Sequence, residues 1–437
     1  MLGIGIRRED KNEWERRVPL VPEQVRALVC QGIEVLVQPS KIRVFRDDEF
    51  TAAGATVADD LSGCDLVLGI KEFPIPFLRE GQAYMYFAHV IKGQKHNMPM
   101  LQKLLELKCT LMDYEKVTDE ENRRLIFFGN FAGLAGMIET LYALGKRLEW
   151  EGTRTPFLGL KRPLKYRTLG EAKAAMEVVG EWIASEGVPE ALSPMVFGFT
   201  GYGNVSKGAQ EIFDILPHET IAPEDLASFM KSMKFSRRKL YKVVFAEQDL
   251  LVPVDRKEKF ELQDYYQHPE KYRGIFEQYL PYLSVLVNGI YWDARYPRLV
   301  TKKWVKDSWA GGKKPRLRVI GDISCDVEGS IECTVKATEP DRPCYVYSPL
   351  GGGATEGFEG NGPVIMAVEI LPTELPRESS IFFGELLMPY LPEIAKSDLK
   401  KDFGELQLPG PIKRSVIVHK GVLTPDYTYI AKFLTAE

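Results

Sequence analysis

The chain has 437 residues, 45% of them apolar and 27% charged, and its 57 basic and 61 acidic residues leave a net charge of −4. At about 150 residues per domain, this is the composition of a soluble globular protein of two or three domains. The near-balance of charge speaks against nucleic acid as the main partner, and no apolar run approaches the ~20 residues of a membrane-spanning helix.

The N-terminus, MLGIGIRRED, turns charged too early for a secretory signal core, and Glu9 and Asp10 argue against a mitochondrial presequence. The six cysteines, Cys30, Cys64, Cys109, Cys325, Cys333 and Cys344, form no C-x-x-C pair and no zinc-like spacing. Those in apolar runs (ALVC, ISC) read as buried inert thiols. A reduced, cytoplasmic protein without metal is the expectation.

In chain order, 2–9 reads as a strand, 21–32 as a helix opened by Pro22 and closed by Gly32, and 33–39 as a strand. A short helix (47–54), strands at 64–72 and 83–90, a helix (97–109) and a strand (109–117) follow. Strands alternating with helices imply a mainly parallel sheet covered by helices. Two long apolar helices, 132–152 and 168–187, then join this block to a second one. That second block opens with strand, glycine turn and helix (193–216) and has later core strands at 283–293 and 317–326. An apolar helix is expected over 380–397, and the glycine-rich GGGATEGFEGNG (351–362) reads as a loop.

GFTGYGNVSKGAQ carries Gly201, Gly203 and Ser206 as G-x-G-x-x-S between an apolar strand and a helix. Small residues there let backbone N–H groups and a helix N-terminus approach a pyrophosphate, whereas a mere structural turn is the competing reading. GNFAGLAG (129–136) also spaces glycines closely, but it opens a long helix, where close packing is the better explanation. The acid expected to hold a ribose hydroxyl is ambiguous among Glu219, Glu224 and Asp225. Lys231, Lys234, Arg237 and Arg238 would suit a 2′-phosphate or would simply be a solvated face, so NAD versus NADP stays open.

Sites in open parallel sheets form beyond the carboxyl ends of the strands. Lys71, His89 and Glu115 each end an expected strand of the first block, with Arg16 and Arg17 after the first strand. If the strands are neighbours, these groups converge. A lysine beside apolar walls and other cations moves towards proton transfer at neutral pH, where histidine already titrates.

The segments ERRVPLVP (15–22), GIKEFP (69–74), FAHVIKGQ (87–94), LMDYEKV (111–117), RRLIFFGNFAGLAGM (123–137), FTGYGNVSKGAQ (199–210), VNGIYWD (287–293) and GDISCD (321–326) together resemble a known family. It is the lysine–ketoglutarate reductase portion of bifunctional aminoadipic semialdehyde synthases. More distantly they resemble the lysine-forming saccharopine dehydrogenases and the alanine dehydrogenase/transhydrogenase superfamily. The resemblance implies an α/β protein of two Rossmann-like lobes with mainly parallel sheets and an interlobe cleft. A substrate lobe over 1–131 would be completed by about 375–437, and 132–374 would bind the dinucleotide.

It further implies NADPH-dependent, reversible condensation of L-lysine with 2-oxoglutarate to saccharopine, the first step of lysine degradation by that route. NADP(H) is typical of the nearest relatives, with NAD(H) the alternative. By position, Lys71 and His89 match the family's acid–base groups. Arg17, Lys92, Glu115, Arg124, Phe128 and Asp322 match substrate positions, and Gly201, Gly203, Asn204, Val205, Ser206, Asn288 and Gly289 match cofactor positions. A tricarboxylate product suits Arg17, Lys92 and Arg124. Competing expectations are a relative reducing another imine, such as one from pyruvate and ammonia, and a catalytically silent dinucleotide-binding protein. The length leaves no room for the second catalytic unit of the bifunctional enzymes, and homo-oligomerisation stays open.

Overall fold

The computed structural model describes residues 3–434. The chain divides into two compact units, Met1–Phe128 with Pro376–Glu437, and Gly129–Leu375.

In the first unit, with strands numbered along the chain, β1 (Ile4–Ile6), β2 (Val35–Val37), β3 (Thr56–Val57), β4 (Leu66–Leu68), β5 (Ala83–Tyr86) and β6 (Thr110–Asp113) are all mutually parallel. The late strand β17 (Val416–His419) adds antiparallel to β6, and β18 (Val422–Leu423) pairs antiparallel with β17. The sheet order is β18-β17-β6-β5-β4-β1-β2-β3. Strands β1, β4, β5 and β6 are buried along their whole length, as expected where helices cover both faces. The order reverses at β1/β4, so the crevice beyond their carboxyl ends is the natural ligand position.

The helix expected over 380–397 is two helices, Pro376–Leu387 and Leu391–Lys396. Pro389 removes a backbone donor and crowds the preceding turn, which stops the first. That first helix is tied to the start of the chain. Val18 N–H donates to Ser380 Oγ (3.0 Å), Gln24 Nε2 donates to the Ile381 carbonyl (2.9 Å), and Phe383 stacks on Phe128 at 4.8 Å. Cys30, expected to be buried, is exposed. It caps the helix Pro22–Val29 one step past the stripe of Val25 and Leu28 that faces the core.

The second unit holds an eight-stranded sheet of order β15-β14-β16-β13-β12-β7-β9-β8. Its strands are β7 (Val196–Thr200), β8 (His218–Thr220), β9 (Leu240–Phe245), β12 (Val285–Asn288), β13 (Val319–Asp322), β14 (Cys344–Tyr347), β15 (Ala354–Glu356) and β16 (Val364–Met366), and the ribbon β10 (Leu251–Pro253) and β11 (Tyr272–Gly274) stands apart. Strand β15 lies inside the glycine-rich stretch read as a loop, pairing antiparallel with β14. Glycines at positive φ flank it (Gly352 +68°, Gly357 +100°) and make its turns.

The helix Asn204–Phe213 packs unusually close to the helix Gly129–Trp150. A Cβ on Gly133 would lie 2.0 Å from the Val205 carbonyl oxygen, and one on Gly208 would lie 2.1 Å from that of Asn130. Within GNFAGLAG, Gly133 and Gly136 (where a Cβ would lie 2.6 Å from Ile323 Cγ1) are therefore packing residues.

Candidate functional site

Pairing of β1, β4, β5 and β6 brings the expected catalytic residues to one edge of the first unit. Glu9 follows β1, Lys71 and Glu72 follow β4, His89 follows β5, and Glu115 follows β6. The Phe87 N–H donates to the Ile70 carbonyl (3.1 Å), so the ladder continues into the loops that carry Lys71 and His89.

Lys71 is largely buried, and its ammonium has no hydrogen bond or ion pair among the described residues. Burial lowers its pKa from the ordinary lysine value, and the nearby Arg17 charge adds to this. Its main chain is held by Glu9, whose carboxylate accepts from the N–H groups of Ile70 (2.6 Å) and Lys71 (3.1 Å). Burial and repulsion from Glu15 push the Glu9 carboxyl well above the usual carboxylate range.

His89 Nδ1 bonds Glu72 Oε1 at 2.8 Å, and Lys11 Nζ donates to the other oxygen of Glu72 at 2.8 Å. Burial alone would raise the Glu72 carboxyl, but the bonds from His89 and Lys11 outweigh it and hold it well below the usual range. An ionised Glu72 at Nδ1 fixes the imidazole so that Nε2 is the nitrogen left for proton exchange. His89 sits in the left-handed backbone region (φ +49°), which costs a non-glycine residue about 1 kcal/mol. Asn97 supports that turn, with Nδ2 donating to the carbonyls of Ala88 (3.1 Å) and His89 (3.3 Å).

The expected substrate residues fall into two groups. Arg17 is buried in a forked pair with Glu15 (2.7 and 2.6 Å) and lies 4.2 Å over the Phe128 ring. Arg124 pairs with Glu115 at 2.6 Å, and Glu115 N–H is pinned by Asp113 Oδ1 at 2.8 Å. Lys92 is exposed, with no side-chain partner among the described residues. These five residues belong to the unit of Lys71 and His89.

Asp322 belongs to the other unit, fully buried at the end of β13. Its Oδ1 accepts from Asn288 Nδ2 (2.8 Å) and Ser324 Oγ (2.7 Å), and its Oδ2 accepts from Thr334. Asn288 is likewise consumed inside the fold, accepting from Thr200 Oγ1 at 2.7 Å. The two side chains brace the carboxyl ends of β7, β12 and β13.

The glycine loop lies where that second sheet reverses order, between β7 and β12. Gly201 has φ +78°, and a Cβ there would lie 2.8 Å from Ile290 Cγ2, whereas one on Gly203 would meet nothing within 4 Å. A Cβ on Gly289 would press on Ser206 N at 3.2 Å, so this glycine lets the β12 loop reach the first turn of the helix. Ser206 is buried and accepts from Gln210 Nε2 (3.0 Å), Asn204 is exposed and Val205 half-buried. A cavity of about 380 Å³ opens here, lined by Gly201, Gly203, Gly289 and tyrosines. Open space over a small-residue turn at the start of a helix fits a pyrophosphate, and the aromatic wall fits an adenosine.

Glu9, Glu72 and Asn97 escaped the sequence reading of the site. Glu72 had one legible signal, its place directly after Lys71 at a strand end. Glu9 and Asn97 act through contacts formed only on folding.

A family model described as alanine dehydrogenase/PNT, N-terminal domain, matches residues 5–135. An alpha-aminoadipic semialdehyde synthase of Arabidopsis thaliana is 40% identical over 98% of this chain and 41% of its own length, and a mitochondrial one of Bos taurus is 36% identical over 98% and 47%. The chain thus spans less than half of these relatives. A saccharopine dehydrogenase [NAD(+), L-lysine-forming] of Yarrowia lipolytica is 33% identical over 90% of this chain and 93% of its own. Among solved structures, an L-alanine dehydrogenase matches with TM-score 0.63 and 19% identity, over 99% of this chain and 100% of that one, a likeness of fold.

Two α/β units, one carrying a lysine–histidine edge and the other a glycine loop, define a protein of the alanine dehydrogenase fold class. Within it, the chain belongs to the family of the lysine-forming saccharopine dehydrogenases and the matching portion of the aminoadipic semialdehyde synthases. No helix among the described residues is long and apolar enough to cross a membrane.

Proposed function

We propose that the chain catalyses the reversible reductive condensation of L-lysine with 2-oxoglutarate to saccharopine, as a cytoplasmic enzyme opening lysine breakdown. The observation that carries this reading is a desolvated Lys71 whose ammonium has no direct ion pair among the described residues, one strand over from a His89 held by an ionised Glu72. Imine chemistry needs two proton-transfer groups, one for the attacking nitrogen and one for the departing water. Lys71, with its charged form disfavoured, takes the proton from the condensing amine. His89, through Nε2, protonates the carbinolamine hydroxyl so that water leaves, and Glu72 stabilises the imidazolium when the proton returns. Lys92 and the edge of Arg17 that has no hydrogen bond among the described residues attract carboxylates, and Phe128 fixes the plane of Arg17. The reduced nicotinamide, when bound, supplies the hydride that turns the imine into the secondary amine.

The test is steady-state oxidation of NADH and of NADPH with lysine and 2-oxoglutarate, each omitted in turn, against pyruvate with ammonia. Turnover that requires lysine and 2-oxoglutarate together supports the reading, and faster turnover with pyruvate and ammonia overturns it. Lys71→Met and His89→Gln should each cut turnover by about 10²-fold or more while leaving cofactor affinity near the parent value. Near-normal turnover in both variants refutes the assignment.

A further inference from the structure

We infer that Glu247 selects NAD(H) over NADP(H), against the NADP(H) implied by the resemblance. The inference rests on the reading of the second unit as a dinucleotide domain. Strand β9 lies directly beside the glycine strand β7, in register through Thr200↔Phe245. The Gly201 N–H donates to the Phe245 carbonyl at 2.9 Å, so the glycine loop begins two residues from Glu247. In such sheets an acid at the carboxyl end of the neighbouring strand accepts from the ribose hydroxyls, whereas a cation there takes a 2′-phosphate. The acid candidates read from the sequence, Glu219, Glu224 and Asp225, belong to β8 and the turn after it. Strand β8 is separated from β7 by β9, so β9 occupies the neighbouring position.

Glu247 lines the cavity with Gly201, Gly203, Tyr202 and Tyr266, and no lysine or arginine lines it among the described residues. The Tyr266 hydroxyl donates to Glu247 Oε1 at 2.8 Å, which orients the carboxylate and leaves further acceptor positions for a vicinal diol. The Glu247 charge also raises the Tyr202 hydroxyl above its ordinary value. A 2′-phosphate would meet this carboxylate with no cation to offset it. The basic residues once eligible for that task lie elsewhere. Arg237 and Arg238 precede β9, and Lys231 and Lys234 close the helix Leu226–Ser232 and the turn after it. All four therefore sit towards the amino edge of the sheet, opposite the glycine loop. Arg237 is tied there by its Nε donating to the Val188 carbonyl at 2.7 Å.

The test is the equilibrium dissociation constant of NADH and of NADPH, measured by titration calorimetry without amine or oxo acid, for the parent chain and Glu247→Gln. The expected result is at least ~10-fold tighter binding of NADH by the parent, with the ratio falling at least ~5-fold in the variant as NADPH gains and NADH loses. Equal or tighter binding of NADPH by the parent overturns the inference without any variant. So does an unchanged ratio in a folded Glu247→Gln. If neither nucleotide binds the parent, the dinucleotide-domain reading itself is wrong and the inference falls with it.

Discussion

Glu72→Gln isolates the electrostatic part of the proposed His89 function. The His89 Nδ1 to Glu72 Oε1 contact is 2.8 Å, which sets the charge centres about 4 Å apart. At an effective dielectric constant of about 20, the attraction between carboxylate and imidazolium is roughly 4 kcal/mol. The isosteric amide keeps an acceptor oxygen, and a neutral hydrogen bond returns about 1 kcal/mol. The step in which His89 carries the extra proton therefore loses about 3 kcal/mol, a fall of ~10²-fold in kcat. The assay is steady-state cofactor oxidation with lysine and 2-oxoglutarate, together with the cofactor dissociation constant, which should not move. Lys11→Met provides the contrast. It removes the other Glu72 partner at the same 2.8 Å, but Lys11 is 48% exposed, and such a pair contributes about 0–1 kcal/mol. Its kcat should stay within ~5-fold of the parent. Equal losses in both variants, or a Glu72→Gln enzyme within ~3-fold of the parent, would refute the idea that Glu72 works through His89.

Three further outcomes follow from the same structure. Lys71→Met removes a charge whose desolvation lowers its pKa, so the native state at neutral pH holds that proton less tightly than the unfolded chain does. The variant should lose turnover yet unfold at a higher temperature than the parent, and lose part of the parent's gain in stability as pH rises towards the lysine range; a lower Tm would contradict this. Glu9 has the opposite linkage. Its raised carboxyl binds a proton more tightly when folded, so its contribution is full at low pH and declines as pH rises from the ordinary carboxylate range through the raised native value. Urea midpoints over that window should fall less steeply in Glu9→Gln than in the parent, and identical slopes would remove Glu9 from the account. Gly208→Ala places a Cβ 2.1 Å from the Asn130 carbonyl oxygen. The helices must separate by about 1 Å at a cost of ~1–3 kcal/mol, read as a Tm several degrees lower, and an unchanged Tm would show that the contact yields freely.

Much of the first unit was legible because its strands are continuous apolar runs, each ending in a polar residue. LVLGIK and YMYFAH announce both the strand and the side chain it delivers. The segments that escaped are those whose structure depends on distant partners. Strand β17 exists because β6 offers an open edge, and β15 forms within a glycine-rich stretch because β14 pairs with it. The 380–397 helix failed for a local reason, Pro389, which hydropathy alone overlooks.

The sequence by itself determined the α/β class, the glycine loop with its strand and helix, and the lysine and histidine at successive strand ends. These are properties of short segments, written in apolar periodicity and in residue types with few alternative uses. Only the tertiary structure decided which carboxylates serve them. Glu9 grips the Lys71 main chain across a gap of 62 residues, and Glu72 holds His89 across 17. Asp322 and Asn288 are spent on each other inside the second unit. The same holds for Glu247, which stands beside the glycine loop because β9, not the earlier β8, pairs with β7. Strand order is set by which edges the whole sheet can bury, and no short stretch of sequence carries that information.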